Sequence, residues 1–293
     1  MIQTWRVTPT GAFKLELDVS SLDEVTQRLP DGYYSTFRTF EGGRRVLGLT
    51  SHVQRLYQPV SSPEVGEAIL RQRLSTLLEP YRSDEARVRL VMTKQGTIFI
   101  ALEPLKRLSQ DVYEKGVRVE TTELQREHPR LKSTSFIARS NSERKHIAKE
   151  GIFEALLVKD GAILEGMTSN FFYVIRAEGD EGRSSASSVR RQTPPSAQRA
   201  AVLGTAQDGI LLGITRQTVL DLARDMGLNV KSQPWKRDQI KDLSEAFITS
   251  SSRGVVPVIQ IDGGTIGQGS PGVLTKEISA AYEAHVLKVA ERI

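Results

Sequence analysis

The chain has 293 residues, 39% of them hydrophobic and 26% charged, with a formal net charge of +5, which suits a globular protein of two modest domains. It has no cysteine, which excludes disulfides, thiolate metal sites and cysteine nucleophiles and suits a cytoplasmic protein. Its basic residues are interleaved with acids and form no stripe, which argues against nucleic acid and for small anionic ligands.

Residues 1–121 read as a small α/β domain. Strand patterns at Tyr33–Phe40, Arg87–Thr93 and Thr97–Leu102 are rich in aromatic and β-branched residues. Helical patterns follow at His52–Val60 and Val65–Leu78; in the second, Ile69, Leu70, Leu74, Leu77 and Leu78 recur at helical spacing. Residues 122–130 are polar and contain Pro129, as an interdomain connection would. The second domain is expected over residues 131–293. It opens with a helix at Asn141–Lys149 and a hairpin, Ala155–Val158 to Ala162–Leu164, turning at Asp160-Gly161. A strand at Phe171–Ile175 precedes residues 177–207, whose Ser, Arg, Gln and Pro content predicts a flexible insertion. A helix from Thr215 to Met226, strands Ala246–Thr249 and Val256–Ile261, and a last helix from Pro271 to about Ile293 complete the chain.

Several of these segments carry groups of chemical interest. Lys132 lies in Arg130-Leu131-Lys132-Ser133-Thr134-Ser135-Phe136, where apolar neighbours let it turn inward near Phe136. Burial would favour the neutral amine that Schiff-base chemistry uses, although a lone lysine is most often a solvated residue. Glu165 ends a strand before Gly166, either facing water or placed to keep a pyridine nitrogen protonated. Gly213-Ile214-Thr215-Arg216 opens a helix with Thr215 as its expected N-cap, an ordinary start or an anion site. The turn at Ser250, Ser251 and Ser252 offers hydroxyls and amides that can cup a phosphate, or is simply polar. His52 and Arg55 sit one helical turn apart, with Arg55 offering a rigid fork for phosphate oxygens. An amine, a carboxylate and a phosphate cradle are what a protein needs to hold pyridoxal 5'-phosphate (PLP). The four histidines show no metal-ligand spacing and no metal is expected. No run approaches the ~18 apolar residues of a membrane span, the N-terminus lacks a secretory pattern, and no nucleophile elbow or nucleotide-binding loop is present.

In this order the segments resemble the class IV aminotransferases, PLP enzymes of fold type IV. Glu165-Gly166-Met167-Thr168-Ser169-Asn170-Phe171-Phe172 matches the family's Glu-Gly-x-x-Ser-Asn-x-Phe signature, and Lys132 stands 33 residues before it. Leu211-Leu212-Gly213-Ile214-Thr215-Arg216, His52-Val53-Gln54-Arg55-Leu56 and the serine turn ahead of Pro257-Val258 match further elements. The resemblance runs from Tyr34 to about Asp262. It implies a two-domain fold, with a smaller N-terminal α/β domain and a larger C-terminal pseudo-barrel domain. It further implies PLP held by Lys132, Glu165 at the ring nitrogen, and Arg55, Ile214, Thr215, Ser250 and Ser251 at the phosphate. The activity implied is transfer of an amino group between an amino acid and a 2-oxo acid, with ping-pong kinetics, in a homodimer. Aminodeoxychorismate lyase is the alternative. Tyr34-Ser35-Thr36-Phe37-Arg38 stands where Phe-Glu-x-x-Arg is usual, and the tyrosine resembles D-amino-acid aminotransferases. Tyr34, Arg38 and Arg89 are the candidates for the substrate carboxylate.

Overall fold

The computed structural model describes residues 1–176 and 201–293. Contacts divide the chain into one unit of Met1–Leu108, Arg126–Ser142 and Ala284–Ile293, and another of Ser109–Gln125 and Glu143–Glu283. This differs from the expected boundaries: Val117–Thr122 is a strand of the second unit's sheet, while Lys132 belongs to the first unit.

The first unit is built on strands β1 (Gln3–Val7), β2 (Ala12–Leu15), β3 (Gly32–Arg38), a short β4 (Arg45–Val46), β5 (Ala86–Thr93) and β6 (Ile98–Pro104). Five of them form an antiparallel sheet in the order β2-β1-β6-β5-β3. Period-2 alternation splits β5 cleanly: Val88, Leu90 and Met92 face one core, Val91 the other. Helices α2 (Leu49–Tyr57) and α3 (Glu67–Leu77) cover the first face, packing Val53, Leu56, Leu70 and Leu74 on Phe37 and Ile100. Helices α1 (Leu22–Arg28) and α4 (Ser135–Arg139) contribute Leu22, Val25 and Ile137 to the smaller cores that hold Ala101, Tyr34, Val91 and Phe99. In α2 the buried positions Leu49, His52, Val53 and Leu56 follow the i, i+3, i+4, i+7 pattern, so His52 points into the core with Arg55 on its flank. Its N-cap is Gly48, which has no side chain to offer; the Glu291 carboxylate accepts the Thr50 amide at 3.1 Å instead. Glu291–Arg292 pairs with β4, so the last helix ends sooner than expected, spanning Val273–Val289.

The second unit holds β7 (Val117–Thr122), β8 (Glu154–Lys159), β9 (Ala162–Gly166), β10 (Asn170–Arg176), β11 (Ala201–Gly204), β12 (Asn229–Lys231), β13 (Trp235–Lys236), β14 (Glu245–Ser250) and β15 (Gly254–Ile261). The ladder runs β12-β11-β10-β14-β15-β7-β8-β9-β13, and a further β9–β10 pairing closes its middle strands into a barrel. This is the expected pseudo-barrel. Asp160 and Gly161 both have positive φ, 52° and 75°, which makes the two-residue turn that joins β8 to β9. Inside, Phe172 and Phe247 are cross-strand partners with rings stacked 4.9 Å apart. The expected insertion is shortened at its far end, because Val202 and Leu203 are buried and Ala201–Gly204 pairs with β10. Residues 177–200 lie outside the described residues. Helix α5 (Ile214–Asp225) buries Thr215, Arg216, Val219, Leu220 and Ala223 along one stripe.

Candidate active site

In the first unit, residues 132–134 lie along the open edge of β3. The Tyr34 amide donates to the Lys132 carbonyl at 2.9 Å and the Thr134 amide to the Gly32 carbonyl at 2.9 Å, with Tyr33 and Ser133 as the bridge. The Gly32 amide in turn donates to the Thr134 hydroxyl at 2.9 Å. Cross-strand partners share a face, so Lys132 is set beside Tyr34, its Nζ 5.1 Å from the ring centroid. The lysine is half-buried on that ring, and the Arg126 guanidinium covers Phe136 at 3.9 Å. Arg89 lies 4.8 Å from the same Tyr34 ring. Its Nη1, however, donates to Leu22 O at 2.8 Å, Asp23 Oδ1 at 2.6 Å and Thr26 Oγ1 at 3.0 Å. Arg89 thus fastens β5 to α1. Arg38 stacks over Phe40 at 4.4 Å.

On the opposite face of β3, Ser35 meets α2. Its hydroxyl accepts from Arg55 Nη2 at 3.0 Å and lies 2.8 Å from His52 Nδ1. Burial first, then Arg55 and Lys132, hold the His52 imidazole well below its ordinary pKa, so it is neutral. Burial also lowers Arg55, to about 10, which leaves it charged at neutral pH.

In the second unit the register places Glu165, Asn170 and Thr249 directly opposite one another on β9, β10 and β14, so their side chains share one face. Glu165 is 1% exposed. Its Oε2 accepts from Asn170 Nδ2 at 3.3 Å and from the Leu211 amide at 3.1 Å, and Asn170 Nδ2 also donates to Leu211 O at 2.7 Å. This mesh fixes the loop that leads into α5. The helix N-cap is Gly213, not Thr215, and a Cβ at 213 would fall 2.1 Å from Asn170 Oδ1. No side chain caps the helix start, so its first-turn amides and dipole are available to an anion. The Thr215 hydroxyl reaches Ser251 Oγ at 3.4 Å, and the buried Thr249 Oγ1 has no hydrogen-bond partner among the described residues. A buried, doubly held carboxylate beside a helix N-terminus edged with hydroxyls fits the ring nitrogen and phosphate of PLP. Ser250 Oγ, in the same turn, accepts from Arg253 Nε at 3.0 Å.

Sequence reasoning missed two participants. Glu154, 2% exposed, accepts from Ser169 Oγ at 3.2 Å and Arg253 Nη2 at 3.1 Å, and Arg253 also donates to Thr168 Oγ1 at 2.6 Å. The cluster pins the serine turn to the turn after β9. A carboxylate opening an otherwise apolar strand was the one available hint, since buried charge requires a partner. Among the described residues no group of acids and histidines could hold a metal ion, and no helix is long and apolar enough to cross a membrane.

A profile of the family described as "Amino-transferase class IV" matches residues 32–261. A D-alanine aminotransferase of Bacillus licheniformis is 28% identical over 279 residues, covering 88% of each chain. An aminodeoxychorismate lyase of Bacillus subtilis is 24% identical over 281 residues, covering 87% of this chain and 85% of that one. Among solved structures, a hypothetical aminotransferase from Mycobacterium tuberculosis in its PLP-bound form superposes with a TM-score of 0.72. It is 19% identical and covers 97% of this chain and 99% of that one.

Proposed function

This chain belongs to the class IV aminotransferases, which are PLP-dependent enzymes, and we propose that it moves an amino group between an amino acid and a 2-oxo acid. The observation that supports this most is the buried Glu165 carboxylate, held by Asn170 and Leu211 beside the open N-terminus of α5. In this reading Lys132 Nζ holds the cofactor and, when substrate displaces it, carries the proton away from the substrate α-carbon. Glu165 keeps a proton on the ring nitrogen. Arg55, the Ile214 and Thr215 amides and the serine turn at Ser250 and Ser251 take the phosphate, with Arg253 bracing the Ser250 hydroxyl. Tyr34 and Arg38 receive the substrate carboxylate, and Arg89 acts behind Tyr34 by fixing β5. Bound PLP supplies the electron sink that makes the α-proton acidic.

The tyrosine at position 34 and the likeness to a D-alanine aminotransferase make D-alanine the first donor to test. Enzyme loaded with PLP and given D-alanine should convert to the pyridoxamine phosphate form, and 2-oxoglutarate should restore it, as ping-pong transfer requires. L-Leucine in place of D-alanine tests the branched-chain preference. If every amino donor fails while 4-amino-4-deoxychorismate yields pyruvate without an acceptor, the chain is a lyase and this reading falls. We further propose a homodimer in the cytoplasm. The cysteine-free composition supports the compartment, and light scattering of the purified protein tests the dimer.

A further inference from the structure

We propose that Ser35 is a positioning residue for Arg55, its hydroxyl coupling the guanidinium to the His52 imidazole so that the arm meant for the cofactor phosphate is held in one orientation. This rests on the reading above that Arg55 takes the phosphate.

Ser35 and His52 are both 0% exposed, and the serine hydroxyl is engaged on two sides. It accepts a hydrogen bond from Arg55 Nη2 at 3.0 Å, and the proposal directs its own O–H to His52 Nδ1 at 2.8 Å. That direction leaves the imidazole proton on Nε2. A chain with a cation at one end is polarised along its length, each bond strengthening the next. The neutrality that burial and the two nearby cations impose on His52 leaves one ring nitrogen an acceptor, the role the proposal gives to Nδ1. The elements enforce the contact: β3 turns Ser35 toward α2, and α2 places His52 in the core with Arg55 one turn on. The Phe37 ring lies 4.7 Å from the His52 ring, and the buried Nε2 has no hydrogen-bond partner among the described residues. A hydroxyl here orients the guanidinium without neutralising it, whereas the glutamate of the usual Phe-Glu-x-x-Arg pattern would set a carboxylate against it.

The test measures binding of PLP and of pyridoxal, which lacks the phosphate, to apo-protein. Ser35→Ala should weaken PLP about tenfold, the scale of one hydrogen bond to a charged group, and leave pyridoxal binding unchanged. Ser35→Thr should restore the affinity. Equal weakening of both compounds, or of neither, would overturn the proposal. Arg55→Ala separates the two levels: if it binds PLP like the wild type, the phosphate reading itself is wrong; if only Ser35→Ala does, this proposal alone falls. Nitrogen-15 NMR of the wild-type apo-protein provides an independent readout. His52 should carry its proton on Nε2 with Nδ1 as acceptor, and a protonated Nδ1 would contradict the relay.

Discussion

Gly213→Ala places one methyl group where the second unit has no room for it. The backbone there, φ −72° and ψ 141°, suits alanine, so the cost is steric. The new Cβ would lie 2.1 Å from Asn170 Oδ1 and 3.3 Å from its Cγ, so the amide must move by roughly an ångström to regain ordinary contact. It cannot move freely, because its Nδ2 bonds Leu211 O at 2.7 Å and Glu165 Oε2 at 3.3 Å. Overpacking of this kind costs about 1–3 kcal/mol. Losing the bond to the carboxylate adds about 1.5–3 kcal/mol, so we expect a sum of about 2.5–6 kcal/mol. Urea unfolding of the apo-protein reads it as a lower midpoint at unchanged slope. Asn170→Ala removes the group the methyl strikes, so the double variant should be less than additive. A Gly213→Ala protein as stable as the wild type, or strict additivity in the double variant, would refute the packing described.

Arg253→Met takes the cation away from the 2% exposed Glu154 and should destabilise the protein by about 3–5 kcal/mol in the same assay; adding Glu154→Gln should restore much of it. Glu165→Gln should retain PLP but lower the rate of amino transfer about 10²–10³-fold, as loss of one preorganised electrostatic partner does, read by single-turnover conversion of the cofactor. His52 gives stability a pH dependence of fixed sign. Its folded pKa lies well below the ordinary 6.5, so the unfolded chain binds the extra proton as pH drops. Stability is therefore full above about pH 6.5 and falls below it by at most about 1.4 kcal/mol per pH unit, until the folded pKa is reached. His52→Gln should flatten this part of the unfolding profile.

What could be read from the sequence was local. The Asp160-Gly161 hairpin, the helical stripes of α2 and α5 and the Glu165–Phe172 segment each carry their own periodicity or turn chemistry, and the structure returns them within a few residues. What could not be read depends on partners far along the chain. Lys132 owes its place to β3, joined to it through Gly32 and Thr134, which stand 102 positions apart. Glu154 and Arg253 are 99 apart, and neither strand pattern announces the other. Thr215 had the composition of an N-cap, yet the helix starts two residues earlier, at Gly213, where Asn170 fills the space a side chain would need. Ala201–Gly204 was lost in a polar stretch too short to show alternation, and only pairing with β10 makes it a strand.

The most direct measurement is covalent. Apo-protein incubated with PLP, reduced with borohydride and digested should yield a single phosphopyridoxyl-labelled peptide, with the added mass on Lys132. Label on another lysine, or none at all, would contradict the assignment of Lys132 as the cofactor-holding residue.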